Sequence, residues 1–192
     1  MKFIVGIGNA EPKYDGTRHN VGFGALDGLI GTLELESQKR LRSSKKFQAE
    51  IFTADAALLI KPLTFVNRTG DCVSAVLREY RASAPDFLFL CDDVNLSFGK
   101  LRLRDSGSAG GHHGLESVIE AFGSEDFSRL RIGVGGEMMP KDDLTDYVLG
   151  KFDSAEKQLI GGILGKVVSI CKTWMNEGFE PAMNRLSQLQ SV

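Results

Sequence analysis

Short apolar runs and segments of helical periodicity alternate along the chain. Apolar residues that are continuous, or that alternate with polar ones, predict strands at residues 2–8, 49–54, 57–61, 86–91, 100–104 and 129–135. Apolar residues that recur every three or four positions predict helices at residues 21–35, 70–81, 115–122 and 154–175, the last with Ser154 as its N-cap. This order predicts an α/β fold: one mixed twisted sheet with helices on both faces, in a single domain over residues 1–192.

The strand predicted at residues 100–104 alternates strictly between apolar and basic positions. Leu101 and Leu103 share one face, and Lys100, Arg102 and Arg104 share the other. A face of three cations is a candidate contact for RNA phosphates, and a merely solvated strand face is the alternative. A further basic run at residues 39–46 is predicted to be a solvated loop, as is the acidic segment 136–146.

The composition is that of an ordinary globular protein, with 42% hydrophobic and 25% charged residues in a chain of 192. No apolar run approaches the ~20 residues that span a membrane. The N-terminal segment lacks the long apolar region of a signal peptide, so we expect a cytosolic protein. Cys72, Cys91 and Cys171 are widely spaced, which predicts buried thiols and supports neither disulfides nor a structural zinc site.

The net charge of −2 conceals an uneven distribution. Residues 1–104 hold 15 Lys and Arg against 12 Asp and Glu, a balance of +3, whereas residues 105–192 hold 8 against 13, a balance of −5. The first part of the chain can therefore present a basic surface to a nucleic acid although the whole protein is acidic.

Two glycine-containing segments start like nucleotide-binding motifs, but neither completes one. The segment 6–11 has Glu11 where a dinucleotide fingerprint needs its third glycine, so a nucleotide-binding oxidoreductase has little support. The segment 161–166 resembles a phosphate loop but lies inside the clearest predicted helix. No Gly-x-Ser-x-Gly elbow indicates a serine nucleophile.

Polar residues cluster where the predicted strands end. Asn9, Asn67 and Asp92 each follow a strand, and His112 and His113 follow the basic strand through a glycine loop. Ligands of open α/β sheets bind at strand ends, so we expect an imidazole, a carboxylate and amides to converge there. Adjacent histidines in a loop point in different directions, so we do not expect His112 and His113 to bind one metal ion together.

Several sequence blocks, taken in order, carry a family resemblance. They are Val5–Asn9, Tyr14, Thr17–Gly22, Lys61–Gly70, Asp92–Gly99, Gly110–Leu115, Arg129–Gly135 and Tyr147–Gly150. Together they resemble the bacterial peptidyl-tRNA hydrolases, from residue 3 to about residue 185. The Thr-Arg-His-Asn sequence at 17–20, with the glycine–histidine block downstream, is a specific signal.

The resemblance implies an enzyme that cleaves the ester between a peptide and the 3′ end of tRNA, and so recycles tRNA from prematurely released peptidyl-tRNA. It implies His19 as general base and Asp92 as the carboxylate that orients it. Contacts with peptidyl-tRNA are implied for Asn9, Tyr14, Phe65, Asn67, His113 and Arg131, and the basic strand face adds Arg104 as a candidate tRNA contact. The resemblance also implies a monomer that needs no metal or other cofactor.

The implied roles agree with the chemistry of ester hydrolysis by water. A histidine with a reference pKa of about 6.5 is a suitable base, and a carboxylate can fix its tautomer. An uncharged amide can donate to the developing oxyanion without competing for the proton. From spacing alone, the alternatives are a surface or capping role for His19, a cap for Asp92 and a turn residue for Asn9.

Four residues, in three places, depart from the family pattern. Ala10 and Glu11 stand where Pro-Gly is usual, Val66 where methionine is common, and His113 where asparagine belongs. We expect His113 to lie near His19 and, as a second imidazole, to lower the pKa of that base. RNA-binding relatives that have lost hydrolysis share the fold, so a non-catalytic RNA-binding protein is the alternative function.

Overall fold

The computed structural model of the chain describes residues 1–37, 42–54, 57–136, 139 and 144–191. Over these residues the strands are β1 (Lys2–Gly6), β2 (Arg42–Ser44), β3 (Ala49–Thr53), β4 (Ala57–Pro62), β5 (Phe87–Ser97), β6 (Leu101–Arg104) and β7 (Ser128–Gly135). They form one sheet in the order β2-β3-β4-β1-β5-β7-β6. Parts of the predicted basic loop 39–46 and acidic loop 136–146 lie outside the described residues. The prediction of a loop is wrong for Arg42–Ser44, because these residues pair with β3 as strand β2.

The described helices cover both faces of this sheet. They are α1 (Val21–Ser37), α2 (Thr69–Tyr80), α3 (His113–Phe122), α4 (Leu144–Leu149), α5 (Ser154–Glu177) and α6 (Phe179–Gln190). One buried apolar cluster joins the sheet to α1, α5 and α6, and a second joins it to α2 and α3. The predicted α/β class, with helices on both faces of a mixed sheet, is confirmed.

The four central strands β4, β1, β5 and β7 run parallel, whereas β2, β3 and β6 are antiparallel to their neighbours. β1 and the first half of β5 are buried on both faces, as parallel strands covered by helices must be. The carboxyl ends of β1 and β5 therefore lie side by side at one edge of the sheet. On β6, Leu101 and Leu103 are buried while Arg102 and Arg104 are exposed, so the predicted alternation is confirmed.

Several element boundaries differ from the predictions. β5 continues to Ser97 through two aspartates at which the strand was expected to end. The N-cap of α5 is Asp153, whose side chain accepts from the backbone N–H of Glu156, and not Ser154. α4 lies partly within the segment predicted as an acidic loop, and α6 was not predicted. Within the described residues no helix is both long and apolar enough to cross a membrane.

Candidate active site

His19 lies in a single 3₁₀ turn, Arg18–Asn20, that leads directly into α1. Close packing holds this turn against the sheet, because a Cβ at Gly22 would collide with the backbone of Leu90 and Ile7. Glycine at this position therefore lets the start of α1 approach β5 at backbone distance. This approach brings His19 to the carboxyl end of β5.

The His19 imidazole is hydrogen-bonded to Asp92 on β5, with 2.8 Å between Nδ1 and Oδ1. The two side chains are 11% and 4% exposed. Burial by itself lowers the pKa of His19, but the hydrogen bond and the charge of Asp92 together outweigh it, so the pKa is raised. Because Nδ1–H donates to Asp92, the neutral ring keeps its lone pair on Nε2.

His112 provides a second imidazole on the same carboxylate oxygen. It is the N-cap of α3, where its Nδ1 accepts from the backbone N–H groups of Gly114 and Leu115 at 3.1 and 3.4 Å. An accepting Nδ1 carries no proton, so this hydrogen-bond network assigns the proton to Nε2, which donates to Asp92 Oδ1 at 3.0 Å. The rings of His19 and His112 lie 5.1 Å apart.

Asp92 is thus a buried carboxylate between two imidazole donors. Burial alone would raise the pKa of its carboxyl group. The charge and hydrogen bonds of His112 and His19 outweigh burial and hold that pKa well below its usual range. Asp92 therefore stays ionised at any pH at which the site could act as a base.

The Asn9 amide is oriented by its neighbours. The Asn20 side chain accepts from the backbone N–H of Asn9 at 2.8 Å and donates to its carbonyl at 2.9 Å. Asn9 Oδ1 accepts from the backbone N–H of Val66 at 3.3 Å. Since Oδ1 is occupied, the Nδ2 group is the part of the amide that remains available to donate to another molecule.

These polar groups meet in a cleft with a volume of about 420 Å³. Asn9, His19, Asp92 and His112 all line it. Its remaining wall is largely apolar and includes Val66, Val94, Leu144, Val148 and Leu149. The cleft therefore combines a small set of convergent polar groups with an extended apolar wall, as substrate sites do.

Arg18 fastens the His19 turn to the wall of the cleft. Its guanidinium donates to Glu156 at 2.6 Å and to the Lys151 carbonyl at 2.9 Å, and it lies 4.4 Å from the centre of the Tyr147 ring. Tyr147 belongs to α4, whose Leu144, Val148 and Leu149 line the cleft. His19 and the apolar wall are therefore parts of one connected structure.

Tyr14, Phe65 and Asn67, which the resemblance implies as contacts for peptidyl-tRNA, lie in three different places. Tyr14 lines the cleft. Phe65 is 60% exposed and lines a second, smaller cavity, which Asn9 also lines. Asn67 is exposed on the 3₁₀ turn Val66–Arg68 and lines neither cavity.

The two arginines predicted to contact tRNA occupy different environments. Arg131 on β7 lines the cleft, with one guanidinium nitrogen 3.2 Å from Asp93 and the other donating to the Ser108 carbonyl at 2.7 Å. Arg104 is exposed at the end of β6, where it pairs in register with Arg129. Arg102 is likewise exposed and pairs with Arg131. Two like-charged cross-strand pairs therefore give this edge of the sheet an excess of positive charge.

His113 does not act on His19 as we expected. Its Nδ1 lies 2.8 Å from Glu116 Oε2, its side chain is 75% exposed, and it lines the cleft from the outside. The imidazole beside His19 belongs to His112, and the pKa of His19 is raised. The expected lowering of that pKa by His113 is therefore wrong. The two adjacent histidines do point in different directions, as predicted.

Among the described residues, His19, Asp92 and His112 are the one group whose donor atoms lie close enough to hold a metal ion. Their contacts of 2.8 and 3.0 Å on one carboxylate oxygen are those of hydrogen bonds. Tetrahedral zinc with bonds of 2.0–2.1 Å would set ligand atoms about 3.3 Å apart. His112 Nδ1 already accepts hydrogen bonds from the first backbone N–H groups of α3. This geometry favours a hydrogen-bonded triad over a metal centre.

Comparison with known proteins places the chain in a family. The model of the peptidyl-tRNA hydrolase family matches residues 3–192. The chain belongs to the peptidyl-tRNA hydrolase family. It is 38% identical over 189 residues to the peptidyl-tRNA hydrolase of Chlorobaculum parvum, covering 98% of each chain. It is 41% identical to that of a Nostoc species, covering 96% of this chain and 93% of the relative.

A solved structure supports the same assignment. The crystal structure of peptidyl-tRNA hydrolase from Acinetobacter baumannii superposes with a TM-score of 0.85 at 29% identity, covering 97% of this chain and 94% of the other. The family resemblance read from the sequence blocks is confirmed.

The residues that depart from the usual pattern of the peptidyl-tRNA hydrolase family line the two cavities. Ala10 and Glu11 line the smaller cavity, and Val66 lines the cleft. His112 and Asn20, which are hydrogen-bonded to Asp92 and Asn9, were not among the predicted site residues. The glycine–histidine block just before α3 is the signal that could have marked His112 as an inward-facing N-cap.

Proposed function

We propose that this chain hydrolyses the ester that joins a peptide to tRNA and thereby recycles tRNA from prematurely released peptidyl-tRNA. The observation that carries the proposal is the His19–Asp92 hydrogen bond beside the Asn9 amide in one cleft. The curated relatives at about 40% identity bear the name of this activity.

His19 is the general base in the proposed reaction. Asp92 fixes Nδ1–H, so Nε2 takes a proton from a water molecule as that water attacks the ester carbonyl carbon. The raised pKa of His19 makes its neutral form a stronger base. Asp92 supports the imidazolium that forms and is not itself protonated.

Asn9 and the protonated His19 complete the reaction. The free Nδ2–H of Asn9 donates to the oxyanion of the tetrahedral intermediate. The bond between the carbonyl carbon and the ribose oxygen then breaks, and His19 returns the proton to that oxygen. The products are a peptide with a free carboxylate and a tRNA with a free terminal hydroxyl group.

The tRNA lies against the positive edge of the sheet in this proposal. The exposed Arg102 and Arg104 are suited to phosphate contacts, and Arg131 contributes from the rim of the cleft. The apolar side chains of α4 contact the peptide without requiring hydrogen bonds from its side chains. This suits an enzyme that must accept many peptides.

The deciding experiment is release of labelled peptide from peptidyl-tRNA by the purified chain, with tRNA binding measured in parallel. Turnover that is lost in His19→Ala supports the proposal. Binding without turnover would favour the non-catalytic RNA-binding alternative, and neither binding nor turnover would refute both. Thr53→Val is a matched control, because Thr53 is exposed on β3 and lines neither cavity.

A further inference from the structure

Arg18 is a buried charged residue directly before the proposed base, and the proposed reaction gives it no role. Its guanidinium makes three contacts at once. It forms an ion pair with Glu156, donates to the Lys151 carbonyl, and lies over the Tyr147 ring. The Glu156 carboxylate is itself held in place, because the oxygen that pairs with Arg18 also accepts from the backbone N–H of Asp153 at 2.8 Å.

This arrangement leaves one polar group of Arg18 unsatisfied. Its Nε–H is buried and has no hydrogen-bond partner among the described residues. A buried N–H without a partner is unfavourable, and such groups in folded proteins call for an explanation. The orientation of the guanidinium supplies one, since its terminal nitrogens reach Glu156 and Lys151 while its flat face rests on Tyr147. Contacts with α4 and with the start of α5 therefore set the position of Arg18 at the expense of its own hydrogen bonding.

α4 depends on the turn that carries Arg18 for its position. The helix has six residues, which is too short for stability without tertiary contacts. Among the described elements, it packs most extensively against the 3₁₀ turn Arg18–Asn20. Tyr147 stacks on Arg18 from one side and donates to the Val134 carbonyl of β7 at 2.7 Å. A displacement of α4 would therefore move Arg18 and, with it, the adjacent His19.

The apolar side chains of α4 contact the peptide in the proposed reaction. Three of them line the cleft: Leu144, Val148 and Leu149. Tyr147 lies between this wall and Arg18. Binding energy that improves the placement of a reacting group raises kcat, whereas binding energy expressed equally in substrate and transition state only lowers KM. A peptide side chain that fills the wall would therefore speed the reaction as well as strengthen binding.

We propose that Arg18 is a positioning residue that couples occupation of the α4 wall by the peptide to the placement of His19. This inference rests on the proposed function and adds to it a dependence of the rate on the peptide. Arginine suits this role because its planar guanidinium can pair with a carboxylate and stack on a ring at the same time. A lysine can keep the ion pair with Glu156, but it has no flat group to stack on Tyr147.

The test compares two esters of the same tRNA, N-acetylglycyl and N-acetylleucyl, in single-turnover release. The RNA is constant, and the spontaneous hydrolysis of each ester corrects for its own reactivity. For the wild type, we expect the rate at saturating enzyme to be about 10-fold higher for the leucyl ester, the lower end of the range for one apolar group in an apolar pocket. In Arg18→Lys this ratio should approach one, whereas the preference for the leucyl ester in half-saturating concentration should be no smaller than in the wild type.

Tyr147→Leu tests the same contact from the other side and carries the test if Arg18→Lys does not fold. It removes the ring from Arg18 but keeps an apolar side chain, so the same rate advantage should be lost. The double variant should lose no more than either single one. Tyr147→Phe keeps the stacking ring and should retain the advantage. Arg78→Lys is the matched control, because Arg78 is exposed on α2 and lines neither cavity.

The outcomes separate this inference from the proposed function. If Arg18→Lys and Tyr147→Leu slow both esters by the same factor, Arg18 only supports the fold of the turn, and the inference is overturned while the hydrolase proposal stands. Equal saturating rates for the two esters in the wild type would overturn it in the same way, as would a leucyl advantage that survives in both variants. No release of either ester by the wild type would refute the proposed function itself.

Discussion

His19 and Asp92 are 73 positions apart in the chain, yet their side chains are joined by a 2.8 Å hydrogen bond between Nδ1 and Oδ1. His19 comes from a turn before α1, and Asp92 lies inside β5. The bond fixes which ring nitrogen of His19 is protonated and leaves Nε2 as the basic atom. Each partner therefore has a separate effect that substitution can measure.

Replacing His19 by alanine should reduce hydrolysis by at least ~10²-fold while leaving tRNA affinity close to that of the wild type. General base catalysis is typically worth this factor, and the exposed β6 arginines do not line the cleft that contains His19. Single-turnover release and equilibrium tRNA binding measure the two quantities. Near-normal turnover in a correctly folded His19→Ala protein would rule out His19 as the base.

Asp92→Asn should lose less activity than His19→Ala, because it removes orientation and charge but not the base. The hydrogen bond and charge of Asp92 raise the pKa of His19, whereas burial lowers it. In the variant the effect of burial remains and lowers the pKa of His19. The acid limb of the pH profile of kcat/KM should therefore move to lower pH. An acid limb that stays in place or moves to higher pH would show that Asp92 does not set the basicity of His19.

The same pair predicts how stability depends on pH. The folded-state pKa of Asp92 is depressed, so its contribution is fully present above the ordinary value of 3.8 and is lost as pH falls below it. The folded-state pKa of His19 is raised from 6.5, so its contribution is present below that value and is lost as pH rises through the raised pKa. Urea unfolding of wild type and Asp92→Asn should therefore differ more at pH 6 than at pH 3. An equal difference at both pH values would contradict this linkage.

Arg104→Ala should make tRNA binding less sensitive to salt. Arg104 is exposed on β6, and one phosphate contact contributes a log–log slope of about −0.7 to −0.9. The slope of affinity against salt concentration should therefore become shallower by about one contact. An unchanged slope would mean that Arg104 is only solvated.

The sequence predicted the local elements well but missed features that depend on distant partners. The hairpin of β3 and β4 followed from short apolar runs. β5 was expected to end before Asp92, because two adjacent aspartates rarely continue a buried strand. They do so here because β7 pairs with their backbone, while His19 and His112 are hydrogen-bonded to Asp92 and Arg131 forms an ion pair with Asp93. All of these partners are remote in sequence.

His112 was missed for a related reason. α3 was predicted to begin at Leu115 but begins at His113, which makes His112 its N-cap. The cap position turns the His112 ring inward onto Asp92, whereas His113 faces Glu116. A shift of two residues in one helix boundary therefore decides which of two adjacent histidines reaches the carboxylate.

His112→Asn tests that assignment while keeping the helix cap. Asparagine is a favoured N-cap, so its Oδ1 can accept from the Gly114 N–H, and any stability lost should come from the missing hydrogen bond to Asp92 and not from the cap. The shorter amide does not extend to the position of Nε2, so Asp92 loses one of its two imidazole donors. The charge of Asp92 then acts more fully on His19, and the acid limb of kcat/KM should move to higher pH.

The matched variant is His113→Asn, which alters the exposed neighbour and should leave the acid limb where it is in the wild type. In His112→Asn we also expect kcat to fall about 10-fold, because a carboxylate held by one bond orients His19 less well than one held by two. Thermal unfolding of both variants shows whether the cap is kept. If His113→Asn shifts the acid limb and His112→Asn does not, the exposed histidine is the one that acts on the His19–Asp92 pair, and the inward N-cap position of His112 does not set the pKa of His19.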